Sequence, residues 1–319
     1  MQQVPTVSVI LPLYNCEEYI GEAIESILSQ SLRDFELLII NEPGSPTQTI
    51  NRYAEADDRI RIIQKTGDKG ISWSLNIGLA EARGKYIARM DADDVSLPER
   101  LKTQVEYMEQ HPDIDICGSN VRLITECGYE TASKKLYPLD DIGIKAFLLF
   151  ASPFAHPTVM FRAESVKRYD MRYSTDFAAE DYELWVRMAD RFKYANIEQP
   201  LLRYRVHGTQ ISGNPAVENS ARIISQTAMN RLNINLTDEE THFLYNGTVD
   251  ICALRQFGII ISIRKKVRAG CVNSGYCSLK AINRVFRSRV WLKPTELTWQ
   301  ILHFASRCKR KIVSIIKGR

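Results

Sequence analysis

Short β-branched runs alternate with amphipathic stretches through the first hundred residues, and few folds accommodate that alternation. Residues 7–11, 35–40, 59–64 and 86–90 have the length and side chains of buried strands. After the first run, Ile20, Ala23, Ile24, Ile27 and Leu28 recur at i, i+3, i+4, i+7 and i+8, which makes one apolar helix face. Asn15, with Glu18 three residues on, has capping-box spacing and predicts where that helix begins. A further helix turns Ile71, Leu75, Leu79 and Ala82 inward and is expected to end at Gly84. Ser96, Pro98 and Glu99 open another, with Leu101, Val105 and Met108 as its buried stripe. Such a succession gives a mainly parallel α/β sheet covered by helices on both faces. Ligands of these sheets bind at the carboxyl ends of the strands, where the segments after Leu13, Ile40 and Met90 lie.

The remainder is less regular. Residues 152–162 (SPFAHPTVMFR) precede a helix starting near Glu180-Asp181-Tyr182, and a strand-like stretch, 201–206, ends at His207. From about residue 216 the pattern turns helical and basic, so two regions are expected, 1–215 and 216–319. The charge is divided accordingly: residues 251–319 carry 16 Lys and Arg against one acid, Glu296, while the first 250 carry 26 bases against 37 acids. Seven scattered cysteines without a CxxC pair suggest neither a zinc site nor a disulfide framework, and read as reduced thiols of a cytoplasmic protein. The opening MQQVPTVSVILPLYN lacks a basic n-region and reads as a first strand. The apolar run 256–263 is far short of the roughly 20 residues that span a bilayer.

Asp91-Ala92-Asp93-Asp94, directly after the fourth strand, is the most conspicuous polar cluster. Three carboxylates in four residues repel one another unless a cation offsets them, and hard oxygen ligands suit Mg²⁺ or Mn²⁺. Taken alone, the cluster is equally a solvated acidic turn capping the next helix. An EF-hand loop is excluded, because its sixth position would be Ser96 and its twelfth Lys102. GxxxxGK[ST], GxGxxG after a strand, and GxSxG are all missing, which argues against P-loop enzymes, dinucleotide oxidoreductases and α/β-hydrolases. Arg89 reads as a surface cation pairing the acids. Glu180 and Asp181 suit a helix N-terminus electrostatically, yet a carboxylate there could also serve as a general base. Arg203, Arg205 and His207 alternate with a period of two and share one side of a strand, where His207 is either a structural group or a ligand to metal or diphosphate. His156, before Pro157, reads as a packing or hydrogen-bonding group.

The blocks VSVILPLYN, FELLIINEPGS, NIGLAEARGKYIARMDADD, AEDYELW and YRVHGTQIS, in that order over about residues 5–212, resemble glycosyltransferase family 2 with its glycosyltransferase-A fold, a Rossmann-like α/β/α sandwich. The resemblance implies an inverting, Mn²⁺- or Mg²⁺-dependent transferase that takes its sugar from a nucleotide-diphosphate sugar, with UDP as the expected nucleotide. It implies Pro12, Tyr14 and Glu18 near the base or ribose, and Asn41 or Glu42 at the uracil-binding position. The family's Asp-Asp-Gly-Ser is replaced here by Asn41-Glu42-Pro43-Gly44-Ser45, one residue longer. Carried over likewise, Asp91 lies near the ribose, Asp93 contacts the metal, and Asp181 is the base with Glu180 beside it. The implied setting is assembly of a surface polysaccharide or glycolipid on a saccharide or polyprenyl-lipid-linked acceptor.

Arg264-Lys265-Lys266 and Cys308-Lys309-Arg310-Lys311 are interleaved with apolar residues, a pattern suited to an anionic bilayer surface. Nucleic acid and the acidic body of the chain would suit that charge too, but a lipid-linked acceptor favours peripheral contact at the inner face of the cytoplasmic membrane, with no nucleic-acid partner. Two rivals remain: a catalytically inactive nucleotide-sugar-binding relative, and a sugar-nucleotide pyrophosphorylase. Intact Asp91, Asp93 and Asp181 speak against the first, and the lack of a Gly-rich, Arg-containing loop after the first strand speaks against the second.

Overall fold

The computed structural model describes residues 4–45, 47–67, 70–208, 214–246 and 253–286. Strand and helix alternate as expected through β1 (Val7–Leu13), α1 (Ile20–Leu28), β2 (Phe35–Asn41), α2 (Gln48–Ala56), β3 (Ile60–Gln64), α3 (Ile71–Glu81) and β4 (Tyr86–Arg89). There follow β5 (Val95–Ser96), α4 (Arg100–Gln110), β6 (Ile116–Thr125), β7 (Glu130–Lys135), α5 (Asp141–Leu148), β8 (Met160–Arg162), α6 (Ala163–Arg168), α7 (Glu180–Met188), β9 (Tyr194–Val206) and α8 (Pro215–Arg231). The strands form one nine-stranded sheet in the order β3-β2-β1-β4-β8-β6-β9-β5, with β7 on β6. Strands β1, β2, β3, β4, β6 and β9 run one way, and β5, β7 and β8 run the other.

Burial explains why the first strands are continuous apolar runs. Val7, Val9, Leu11 and Leu13 pack in one cluster with Ile20, Ala23, Ile24 and Ile27 of α1. The opposite face of β1 meets α3, where a Cβ added to Gly78 would come within 2.4 Å of Ile10 Cγ2. A strand buried on both faces has no position for the polar half of an alternating pattern. Helix α3 lies close because the small Ser72, Ser74 and Gly78 are buried along with the expected Leu75, while Ile71, Leu79 and Ala82 are only half-buried.

Three local expectations are corrected. Helix α1 begins at Ile20 with no side-chain cap bond, while Asn15 sits in a left-handed turn at φ 48°. That turn is closed by the Cys16 carbonyl, which accepts the N–H groups of Tyr19 and Ile20. Asn tolerates the left-handed region, and this, rather than capping, explains its place. Ser96 lies in β5, where its N–H donates to Ser26 Oγ at 3.0 Å, and α4 begins at Arg100 without a side-chain cap bond. Gly84 does not end α3, whose cap is Ala82; a Cβ at Gly84 would come within 2.6 Å of the Ser8 nitrogen, so its role is close approach to β1.

Two compact units divide the chain: Met1–Ile144 with Ser152–Ile224, and Lys145–Ala151 with Ser225–Arg319. In the second, α9 (Asp238–Asn246) opens with a reciprocal cap: Glu240 N–H donates to Thr237 Oγ1, and Thr237 N–H donates to Glu240 Oε2. Helix α10 (Ala253–Ser274) buries Ile259, Ile260, Ile263, Val267 and Cys271. It ends in a left-handed Gly275 with Tyr276 N–H returning to the Cys271 carbonyl, and α11 (Leu279–Val285) follows. Among the described residues no helix is long and apolar enough to cross a membrane. The Cys308–Lys311 basic cluster lies outside the described residues.

Candidate active site

Leaving β4, the chain passes through Met90, whose N–H donates to the Ile10 carbonyl at 2.9 Å and keeps the acidic loop beside the end of β1. One carboxylate oxygen from each of Asp91, Asp93 and Asp94 then lies within 4.8 Å of the others. Burial pushes Asp91 up to about 6, against the pull of Arg89 and with the push of Asp93. Burial, with the charges of Asp91 and Asp93, raises Asp94 well above the usual carboxylate range. Asp94 Oδ1 accepts the Arg205 N–H at 2.8 Å, whereas its Oδ2 is buried with no hydrogen-bond partner. Asp93 Oδ2 and His207 Nε2 are 2.9 Å apart. Desolvated oxygen donors with an unsatisfied lone pair fit a hard divalent cation, which would supply the charge that the loop lacks.

A second polar group faces the same region. Asp181 Oδ2 accepts from Ser152 Oγ at 3.0 Å, and its Oδ1 accepts the Tyr182 N–H at 2.6 Å. Burial nonetheless raises Asp181 above its ordinary value, outweighing these bonds and the Arg89 charge. Desolvation here outweighs the helix N-terminus, which favours the ionised form. Glu180 is 8% exposed, and burial together with the Asp181 charge pushes it up to about 8. His156 Nδ1 stands 3.7 Å from Glu180 Oε1, and its Nε2 shares a 2.9 Å hydrogen bond with Tyr173 Oη. Burial, with the charge of Arg89, holds His156 well below its usual range, so the pair meets as two neutral groups at neutral pH.

Arg89 joins the two groups. It pairs with Asp91, and its charge acts on Glu180, Asp181 and His156. At 3% exposure it is a buried cation, not the surface one that its neighbours in sequence suggest.

The residues expected near the nucleoside are more divided. Tyr14 and Glu18 are exposed and Pro12 is half-buried. Asn41 is buried, donating from Nδ2 to Gln64 Oε1 at 2.9 Å while its Oδ1 has no partner. Glu42 is engaged internally: Lys65 Nζ donates to it at 2.9 Å, Ser74 Oγ at 2.8 Å and the Gly70 N–H at 3.4 Å. Burial pushes its carboxyl up, but these donors prevail and hold it below the ordinary range.

Residues 8–169 match the model of glycosyl transferase family 2. The chain belongs to that family. The O-antigen biosynthesis glycosyltransferase WbnJ of Escherichia coli is 37% identical over 208 residues, 63% of this chain and 80% of that protein. Residues 1–349 of S. aureus TarS, solved with UDP-GlcNAc, have a similar fold: the TM-score is 0.59 at 17% identity, over 82% of this chain and 81% of that one. The mannosyltransferase PcManGT from Pyrobaculum calidifontis, solved with GDP-Man and Mn²⁺, gives a TM-score of 0.54 at 16% identity, over 89% and 79%. The fold of this family 2 glycosyltransferase is thus the glycosyltransferase-A type expected, and membership sets the pyrophosphorylase aside.

Within this family member, Asp91 and Asp93 lie in one cluster with Asp94, His207 meets Asp93, and Glu180 and Asp181 start one helix. Asn41 and Glu42 do not act alike, since only Asn41 keeps an unsatisfied atom. Sequence reasoning assigned no role to Asp94, Ser152, Tyr173 or Lys65. A third acid beside the DxD spacing was the one visible signal among them, because the partners of the other three lie 9 to 29 positions away.

Proposed function

We propose that this transferase moves a sugar from a nucleotide-diphosphate sugar, a UDP-sugar by the expected nucleotide, to a saccharide or lipid-linked acceptor in surface polysaccharide or glycolipid assembly. The observation that carries this reading is the link, through the buried Arg89, between the three-carboxylate cluster and a separate half-buried carboxylate, Asp181. Asp91 and Asp93, with His207, would hold Mn²⁺ or Mg²⁺, which when bound offsets the charge of the leaving diphosphate.

Asp181 acts as the base. The acceptor oxygen bonds to the anomeric carbon while the bond to the diphosphate oxygen breaks and takes its electron pair, and the hydroxyl proton passes to Asp181. Ser152, donating to Oδ2, holds the carboxylate in place and leaves its remaining lone pairs for that proton. With the acceptor oxygen as the nucleophile and Asp181 as its base, the transfer is a single displacement with inversion, and Glu180, lifted by burial, stands beside the base. Pro12, Tyr14, Glu18 and Asn41 bind the nucleoside in this reading, whereas Glu42, held by Lys65, supports them.

Peripheral contact with an anionic membrane completes the reading. Residues 253–286 contain seven Lys and Arg and no acid, and the exposed Ile261 and Val272 share α10 with the exposed Lys265.

A panel of nucleotide-sugars, each tested for thermal stabilisation with and without Mn²⁺, tests the donor class, because only ligands of the native state stabilise it. A Mn²⁺-dependent shift with a UDP-sugar is expected. Equal shifts with and without metal would remove the metal-bridged donor from the account.

A further inference from the structure

Arg205 directs its guanidinium at the framework around the acidic loop. It is 2% exposed and lies in β9 opposite Ile124 of β6. Its Nε donates to the Asp93 carbonyl at 2.7 Å, and Nη1 donates to the Glu126 carbonyl at 2.7 Å and the Thr125 carbonyl at 3.4 Å. Nη2 pairs with the Glu22 carboxylate on α1, and the guanidinium lies 4.6 Å from the centre of the Tyr19 ring. Its backbone N–H is the one that holds Asp94 Oδ1. Four segments thus converge on one side chain: the start of α1, the acidic loop, the β6–β7 turn and β9.

The placement is selective. A buried cation next to three desolvated acids would ordinarily pair with one of their carboxylates, as Arg89 does with Asp91. Arg205 takes the Asp93 carbonyl instead, and its charge is answered by Glu22 and by backbone dipoles. The Asp93 backbone is fixed while its carboxylate stays free to meet His207, two residues further along the same strand. The guanidinium fork is planar and rigid, so it can hold three acceptors at set angles, which an ammonium on a flexible stem cannot.

We propose that Arg205 is a positioning residue that presets the acidic loop for a divalent cation, by clamping the Asp93 backbone to α1 and the β6–β7 turn. This rests on Asp93 as a cation-binding residue. Arg205 never contacts the cation; it lowers the cost of ordering the loop when the cation arrives.

The test is Mn²⁺ binding in the presence of UDP, measured by calorimetry and by the Mn²⁺ electron-spin signal, for Arg205→Lys, Glu22→Gln and Asp93→Asn. Arg205→Lys should weaken Mn²⁺ about tenfold, and saturating Mn²⁺ should restore much of its turnover. Glu22→Gln loosens the same clamp from a half-exposed position that threatens folding little, and should weaken Mn²⁺ by a factor of about 2–5. Asp93→Asn should abolish binding with no rescue by excess metal. Should Arg205→Lys fail to fold, Glu22→Gln decides alone. Unchanged Mn²⁺ affinity in Glu22→Gln and in any folded Arg205→Lys, with Asp93→Asn defective, overturns the role of Arg205. Normal affinity in Asp93→Asn overturns instead the metal site on which it rests.

Discussion

Asp93 and His207, 114 positions apart in the chain, meet with Oδ2 and Nε2 separated by 2.9 Å. The contact joins the loop after β4 to the end of β9, strands that are not neighbours in the sheet. The Tyr19 ring, at the start of α1, lies 5.7 Å from the imidazole. In the proposed site His207 either shares the cation with Asp93 or orients Asp93 toward it. In both cases His207→Ala should weaken Mn²⁺ binding in the presence of UDP by roughly 10–100-fold, the usual cost of losing a group that orients a metal ligand. Titration calorimetry measures it. An unchanged dissociation constant would leave His207 a structural residue.

The fold was legible where burial is two-sided. Apolar runs in β1, β2 and β4 need no partner information to be recognised, since all their positions but Pro12 are covered. Helix starts were misread, because the spacing of a capping box is short and common, and Asn15 answers equally to a left-handed turn. The acidic cluster was legible because its members are adjacent in sequence. Arg89 was not, since Tyr173, Glu180 and His156, with which it interacts electrostatically, lie far along the chain. Glu42 looked equivalent to Asn41 until Lys65 and Ser74 arrived from β3 and α3 to occupy it. Single positions carry no record of which distant partner will claim them.

Glu180 gives the folded state a pH dependence with a defined sign. Its folded value, about 8, lies above the 4.5 of a free carboxyl, so between those values the native state keeps a proton that the unfolded chain has released. Stability is thus favoured below pH 4.5 and lost as the pH rises toward 8. Glu180→Gln removes that loss, and the parent should fall behind the variant by on the order of 2–4 kcal/mol between pH 5 and pH 8.5. Urea unfolding at the two pH values is the measurement. Parallel pH slopes for the two proteins would mean that Glu180 is ionised at neutral pH.

Residues from 251 onward are expected to hold the protein on anionic bilayers. Each basic residue near such a surface contributes roughly 1 kcal/mol, and the stretch carries 16 of them against one acid. Truncation after Asp250 should release the protein from vesicles containing phosphatidylglycerol in a flotation assay, while Lys265→Glu in the full chain should weaken flotation without unfolding it. Equal flotation of full-length, truncated and Lys265→Glu proteins would assign the charge to another partner.

Asp181 is the centre of the account. Asp181→Asn keeps the shape and the Ser152 contact but cannot take a proton, so donor and Mn²⁺ binding should persist while the transfer step slows by about 10²–10⁴. Because burial lifts Asp181 above the usual carboxylate range, the acidic limb of the parent's transfer rate should lie above that range as well. Glu180→Gln should cost less than Asp181→Asn, since Glu180 is already protonated at neutral pH. Single-turnover transfer to a true acceptor, which separates chemistry from product release, is the most direct measurement. The account predicts a slow chemical step in Asp181→Asn with unchanged donor affinity. A rate within tenfold of the parent, or a larger loss in Glu180→Gln, would contradict it.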